Sequence, residues 1–295
     1  MSDETTDQVL QLAQQRIAAR REQERLQAER NPRPALGSAR TWRYAFGSTM
    51  GMLLLALLFT PGLPLEQKMI VVMQGLCAQE HNIILGGIQF PICARCSGIY
   101  ISFVITLVYA ALRGRGRAAR LPSWYITGLL GGFVAVMAID GINSTFDQIG
   151  ITLLYPPHNT LRVLSGIGLG VAMAVFVQIV FNQAMRRDVD EHLPPLRDWR
   201  DLGAVLVLNF LVMTAIFGNL HFLAWPLAGL AFFGMLFVLF IVNLMLISLV
   251  IGYGGTISRL PDLAFPALLA LLPTGVLVTG MALLRSWMEA QGMMP

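Results

Sequence analysis

An all-α, polytopic transmembrane bundle of about seven spans, with its N-terminus in the cytoplasm, is the fold this sequence predicts. Three observations predict it. Hydrophobic residues fill 55% of 295 positions and charged residues only 13%, where a soluble domain carries about 25% charged; the mean hydropathy is +0.63. Apolar stretches long enough to cross a bilayer recur seven times, each apolar all round rather than on one face. Basic residues collect in alternate gaps between those stretches.

Residues 3–30 read as a charged cytoplasmic helix. Thr5 or Thr6 is placed to cap it, Glu4 and Asp7 suit its positive end, and Arg20 with Glu24 and Arg25 with Glu29 stand four apart. Its apolar side is thin, so the segment is either a solvated tail or a docking helix for a partner or anionic lipid. The run NPRPALG then ends it, making residues 1–40 a helix and linker. Residues 41–182 hold four spans, at about 44–62, 97–112, 123–142 and 161–182, with a cysteine-bearing loop after the first. Residues 183–202, RDVDEHLPPLRDWRDL in the main, mix both charge signs, carry His192 and are broken by Pro194 and Pro195, so they read as a surface connector. Residues 203–295 complete the bundle with spans at about 203–221, 226–251 and 265–284.

Charge orients the chain. Of 21 basic residues, 17 precede the first span or follow the second, fourth and sixth; Lys68, Arg95, Arg162 and Arg285 alone fall on the other face. The positive-inside rule then places the N-terminus in the cytoplasm and the cysteine loop outside. The polar residues ahead of the first span do not form a signal peptide. The pI near 9.2 reflects this topology, and no basic stripe with interleaved aromatics points to nucleic acid.

Small residues at helix-packing spacing include Gly47 and Gly51, Gly128 and Gly132, and Gly166, Gly170 and Ala174. Asn209 and Asn243 fall at similar depth on consecutive spans. They read as a mutual hydrogen bond, or more weakly as part of a transport pathway.

The outer face gathers the reactive groups: Cys77, His81, Cys93 and Cys96 between the first two spans, Asp140, Asn143, Asp147, His158, Asn159 and Arg162 around the turn between the third and fourth, and His221 after the fifth. If residues 65–82 form a short interfacial helix, Cys77 and His81 lie one turn apart; Cys93 and Cys96 form a C-x2-C knuckle. Together they make a Cys3His set suited to zinc, with Cu(I) the other soft choice. Arg95 offsets thiolate charge or meets a lipid headgroup. A reactive or structural disulfide stays open, although three cysteines make a poor relay to a quinone. Haem through His81, His158 and His221 also stays open. Asp140 near a span end needs a partner. Arg162 across the turn is the expected one, and with His158 and Asn159 it makes a polar outer site for a headgroup or a proton.

The stretch GIQFPICARCSGIY, followed by DGINSTFDQIG and NTLRVLSGIGLG, resembles a prokaryotic membrane-protein family known only as domain of unknown function 2085, over about residues 70–180. That family's first cysteine is followed by histidine and glutamine. Here Cys77 and Gln79 match, but Ala78 replaces the histidine. The resemblance implies a site and names no reaction. The reading that follows is a membrane protein with an outer metal site, acting as a structural or assembly subunit that meets lipid, and other subunits through its N-terminal helix and last three spans. A membrane thiol redox or lipid-substrate enzyme and a transporter are the alternatives.

Overall fold

The computed structural model describes residues 15, 16, 18, 19, 22, 39–151 and 154–292. Of the helix expected over residues 3–30, the described positions are helical and exposed, and the rest lies outside the described residues. The chain continues as α1 (Ala39–Phe59), α2 (Leu65–Met73), β1 (Asn82–Leu85), β2 (Ile88–Cys93), α3 (Ala94–Leu112), α4 (Trp124–Gln148), α5 (Asn159–Met185), α6 (Trp199–Phe217), α7 (Ala224–Val250) and α8 (Ala264–Ala290). Seven of these helices are long and apolar enough to cross a membrane, as expected; α2 is the short one.

The helices pack unequally. α3 and α5 form the most extensive pair, because glycines remove the side chains that would hold them apart. A Cβ on Gly166 would lie 2.3 Å from the Arg95 carbonyl oxygen, one on Gly170 2.2 Å from that of Ile99, and one on Gly98 2.4 Å from that of Val163. The expected glycine packing therefore holds for the fourth span. It fails for Gly47, Gly51, Gly128 and Gly132, which meet nothing within 4 Å. Accordingly α1 buries no residue. It leans on α8 through Trp42 and Phe265, whose rings are 4.7 Å apart, and presents Met52, Leu55 and Phe59 outward, as a lipid-facing helix does.

One further expectation is corrected. Asn209 and Asn243 do not pair: Asn209 Nδ2 donates to the Val205 carbonyl, 2.8 Å away, while Asn243 Nδ2 donates to Leu239 and reaches Thr274 Oγ1 at 3.2 Å. Each asparagine finds acceptors on its own helix or on α8, so similar depth did not bring facing sides. The 183–202 connector, read as a surface segment, is mostly exposed or half-buried and is anchored at several points. Leu196 is fully buried, Asp190 bridges to Ala118, and Asp201 binds the Arg115 guanidinium, Tyr109 Oη at 2.9 Å and the Arg197 amide at 2.9 Å. Gln178 and Asn182 of α5 donate to the Arg115 and Ala118 carbonyls. This is a satisfied polar knot that closes one end of the bundle.

The other end carries a feature absent from the expectations, a β-hairpin. Gly86 and Gly87 have φ of +59° and +80°, the left-handed pair that a two-residue hairpin turn with the correct twist requires. Leu85, Phe90 and Ile92 are fully buried in a core shared with Met69 and Met73 of α2 and Ala224, Ala228 and Ala231 of α7. The hairpin is thus a plug seated among helix ends, and β2 runs directly into α3.

Candidate metal centre

Three chain segments converge on the cysteines. α2 ends at Met73, and the chain turns back at Gln79, whose φ is +60°. Gln79 Nε2 holds that turn by donating to the carbonyls of Ile70, at 2.8 Å, and Pro91, at 2.7 Å. From α8, Arg285 donates to the carbonyls of Gln74 and Cys77 at 2.7 and 2.8 Å, with a longer bond to Ala78. The close approach depends on Gly75, where a Cβ would overlap the Met281 backbone. Lys68, in α2, donates to the last carbonyls of α1, at Leu57 and Leu58, a favourable site for a cation at a helix C-terminus.

In this frame the sulfurs of Cys77, Cys93 and Cys96 all lie within 4.8 Å of one another. Cys77 and Cys96 are 3.8 Å apart, and all three thiols are free. The Cys93 amide donates to Cys77 Sγ at 3.2 Å. Cys93 caps the N-terminus of α3, where amides and the helix dipole favour a thiolate. Hydrogen bonds from the Cys77 and Cys96 thiols, the Cys96 amide and the Arg95 charge together hold Cys93 well below the ordinary thiol range despite burial. Cys77, on the other side of the same bonds, is raised.

His81 is not a member of this cluster. The helix expected over residues 65–82 stops at Met73, so the one-turn relation between Cys77 and His81 does not form. Instead the His81 carbonyl accepts from Ala94 N at 2.8 Å and the residue is exposed. His158 is the N-cap of α5 and exposed, while His221 lies against Gly86. Among the described residues no histidine joins a metal-type cluster.

Beside the thiols stands a buried polar network. Asp140 was expected to pair with Arg162, but its partner is Arg95, with Nη2 to Oδ2 at 2.7 Å. Arg95 also donates to Ser144 Oγ at 2.6 Å. Tyr155 Oη donates to Asp140 Oδ1 at 2.7 Å and Ser165 Oγ to Oδ2 at 3.0 Å. Burial and the bond to Asp140 push the Tyr155 phenol above its ordinary value. Arg162 is buried and donates to Asn159 Oδ1 at 3.2 Å, within electrostatic reach of Arg95, Asp140 and Cys93. Register explains the swap: the α3 and α5 glycines bring Arg95 level with the end of α4, while Arg162 starts a helix whose first turn bends back to Asn159. Asn143 secures the turn itself, donating to the Tyr155 carbonyl and accepting from the Leu154 amide, both at 2.9 Å.

Fold and site together define a polytopic helical membrane protein with a three-thiol cluster at one end of its bundle. Residues 77–176 match the model of the family described as predicted membrane protein (DUF2085). That match begins at Cys77 and ends within α5, so it contains all three cysteines, Arg95, Asp140 and Arg162, and the resemblance read over residues 70–180 agrees with it. No curated protein and no solved structure matches the chain.

Several residues at the site gave no warning in sequence. Ser144 and Ser165 look like ordinary span residues, and Tyr155 like a loop aromatic. The hairpin did leave a signal, because NIIL and IQF flank a Gly-Gly pair, the pattern of a two-residue turn between strands.

Proposed function

We propose that the three thiols hold a divalent soft metal ion, zinc, and that its work is structural: to fasten the loop after α2, the end of β2 and the start of α3 into one rigid surface on the extracytoplasmic face. The observation that carries this is the mutual spacing of the sulfurs. A tetrahedral ion with metal–sulfur bonds of about 2.3 Å places its ligands about 3.8 Å apart, and Cys77 and Cys96 stand 3.8 Å apart. A disulfide would need them at about 2.05 Å.

Charge supports a divalent ion. Three thiolates and a dication leave one negative charge, while Arg95 and Arg162 against Asp140 leave one positive charge; a monovalent soft ion would leave the site short by one. Metal binding would release thiol protons, least of all from Cys93, which already favours the thiolate. A cleft lined by Gln74, Gly75, Cys77, Met281, Leu284 and Arg285 offers a way in for the ion. With its lipid-facing α1 and a fastened outer surface, the protein suits a structural or assembly subunit of a membrane complex.

Elemental analysis with thiol counting on protein purified under reducing, chelator-free conditions tests the reading. About one zinc per chain is expected, lost in Cys93→Ser. Metal-free protein with two of its three thiols oxidised overturns it.

A further inference from the structure

Three cysteines leave a tetrahedral ion one ligand short, and a closed structural site has four. His81 does not fill the position. The hairpin beside it offers another group. Asn82 pairs with Cys93 across the two strands, and the bond from Ala94 N to the His81 carbonyl makes this a non-hydrogen-bonded pair, the type in which facing residues are closest and share one face of the ladder. Asn82 therefore projects on the side of the sheet that carries the Cys93 sulfur. Both polar atoms of its carboxamide, Oδ1 and Nδ2, are shut off from solvent and have no hydrogen-bond partner. Natural proteins rarely leave a buried amide so, since each unmet group gives up its water without gaining a partner. An amide with both ends unmet, facing a thiol cluster, has the character of a ligand waiting for its ion.

We infer that Asn82 supplies the fourth donor of the cysteine site, its carboxamide oxygen closing the coordination of the ion held by Cys77, Cys93 and Cys96. This rests on the metal reading above. The spacing of facing residues in an antiparallel ladder allows it. Facing Cβ atoms of such a pair lie about 4.5–5.5 Å apart, and a sulfur-bound ion between them falls within the reach of an asparagine side chain. An amide oxygen is a harder donor than a histidine nitrogen, so the site would bind less tightly than a Cys3His set and exchange its ion more readily.

Cobalt(II) substitution tests the inference on the full-length protein in detergent, because sulfur-to-cobalt charge-transfer absorption counts thiolate ligands. Wild type should show three. Asn82→Cys should raise that absorption by about one third as a fourth thiolate joins, and Asn82→Ala should weaken cobalt binding by at least the roughly 10- to 100-fold that loss of a group merely supporting a ligand costs. An Asn82→Cys variant that binds cobalt with unchanged absorption overturns the assignment of Asn82 and leaves the three-thiol reading intact. An Asn82→Ala variant that binds as tightly as wild type does the same. Wild-type protein that binds no cobalt overturns the metal reading and this inference with it.

Discussion

Replacing Asp140 by asparagine should be among the most damaging single-atom changes available in this protein. The substitution keeps the size of the side chain and an oxygen for Tyr155, but removes the charge that Arg95 meets at 2.7 Å. The Asp140 side chain is 3% exposed and that of Arg95 is 19% exposed, so water can screen the stranded guanidinium only in part. Arg162 lies within electrostatic reach of the same carboxylate and loses its compensation too. Breaking a buried ion pair by removing one member costs about 3–5 kcal/mol, and partial screening of Arg95 argues for the lower end. At about 2 °C per kcal/mol for a chain of this size, the thermal midpoint should fall by roughly 6 °C. Differential scanning fluorimetry in a mild detergent, with a thiol-reactive dye, reads it. The double variant Arg95→Gln/Asp140→Asn should recover a good part of the loss, because the Arg95 guanidinium is then no longer stranded and only Arg162 is left without its carboxylate. A shift below about 2 °C for Asp140→Asn, or a double variant no better than the sum of its parts, refutes the claim that this pair organises the cysteine end.

Three shorter predictions test other links. Gly166→Ala puts a methyl group where a Cβ would lie 2.3 Å from the Arg95 carbonyl, so α3 and α5 must part by about 1 Å at a cost of about 1–3 kcal/mol; zinc content and thermal midpoint should both drop, and an unchanged midpoint would mean the helices are not held by this contact. In reduced, metal-free protein, alkylation of Cys93 should stay flat between pH 6 and 8, where an ordinary thiol near 8.5 speeds up roughly 75-fold. Because its folded pKa is depressed, this thiol's contribution to stability is complete above the ordinary value and is lost as pH falls toward the folded one; a steep alkylation profile shows that the thiolate is not favoured. Asn209→Leu should be neutral or stabilising by about 1 kcal/mol, since Asn209 Oδ1 is buried without a partner and the amide serves only its own helix; a loss above about 2 kcal/mol would reveal a contact the fold does not contain.

Most of the membrane architecture was legible in the chain. Span number and approximate limits follow from hydropathy because lipid imposes one length and one secondary structure on every crossing. The cysteines were legible as a cluster, since C-x2-C at a helix start and a third cysteine in the same loop leave few ways to be far apart. The fourth position was not. Placing His81 beside Cys77 assumed that α2 continues, whereas the left-handed Gln79 turn ends any helix before it. The Gly-Gly pair carried the correction, because strands of three or four apolar residues are hard to tell from helix inside a hydrophobic segment.

The partner of Asp140 shows the same division. Sequence could say that a carboxylate near the end of a span needs a cation, and it offered Arg162 because that residue is nearest after the turn. The tertiary structure chose Arg95, 45 residues away in the chain, because glycines at 98, 166 and 170 let α3 and α5 meet backbone to backbone and carry Arg95 level with the end of α4. By itself the sequence determined the class of the protein, its spans and the residues with chemistry. Which of those residues face one another was decided only by tertiary structure, because pairing depends on helix rotation and closeness of approach, and neither leaves a periodic mark in the chain.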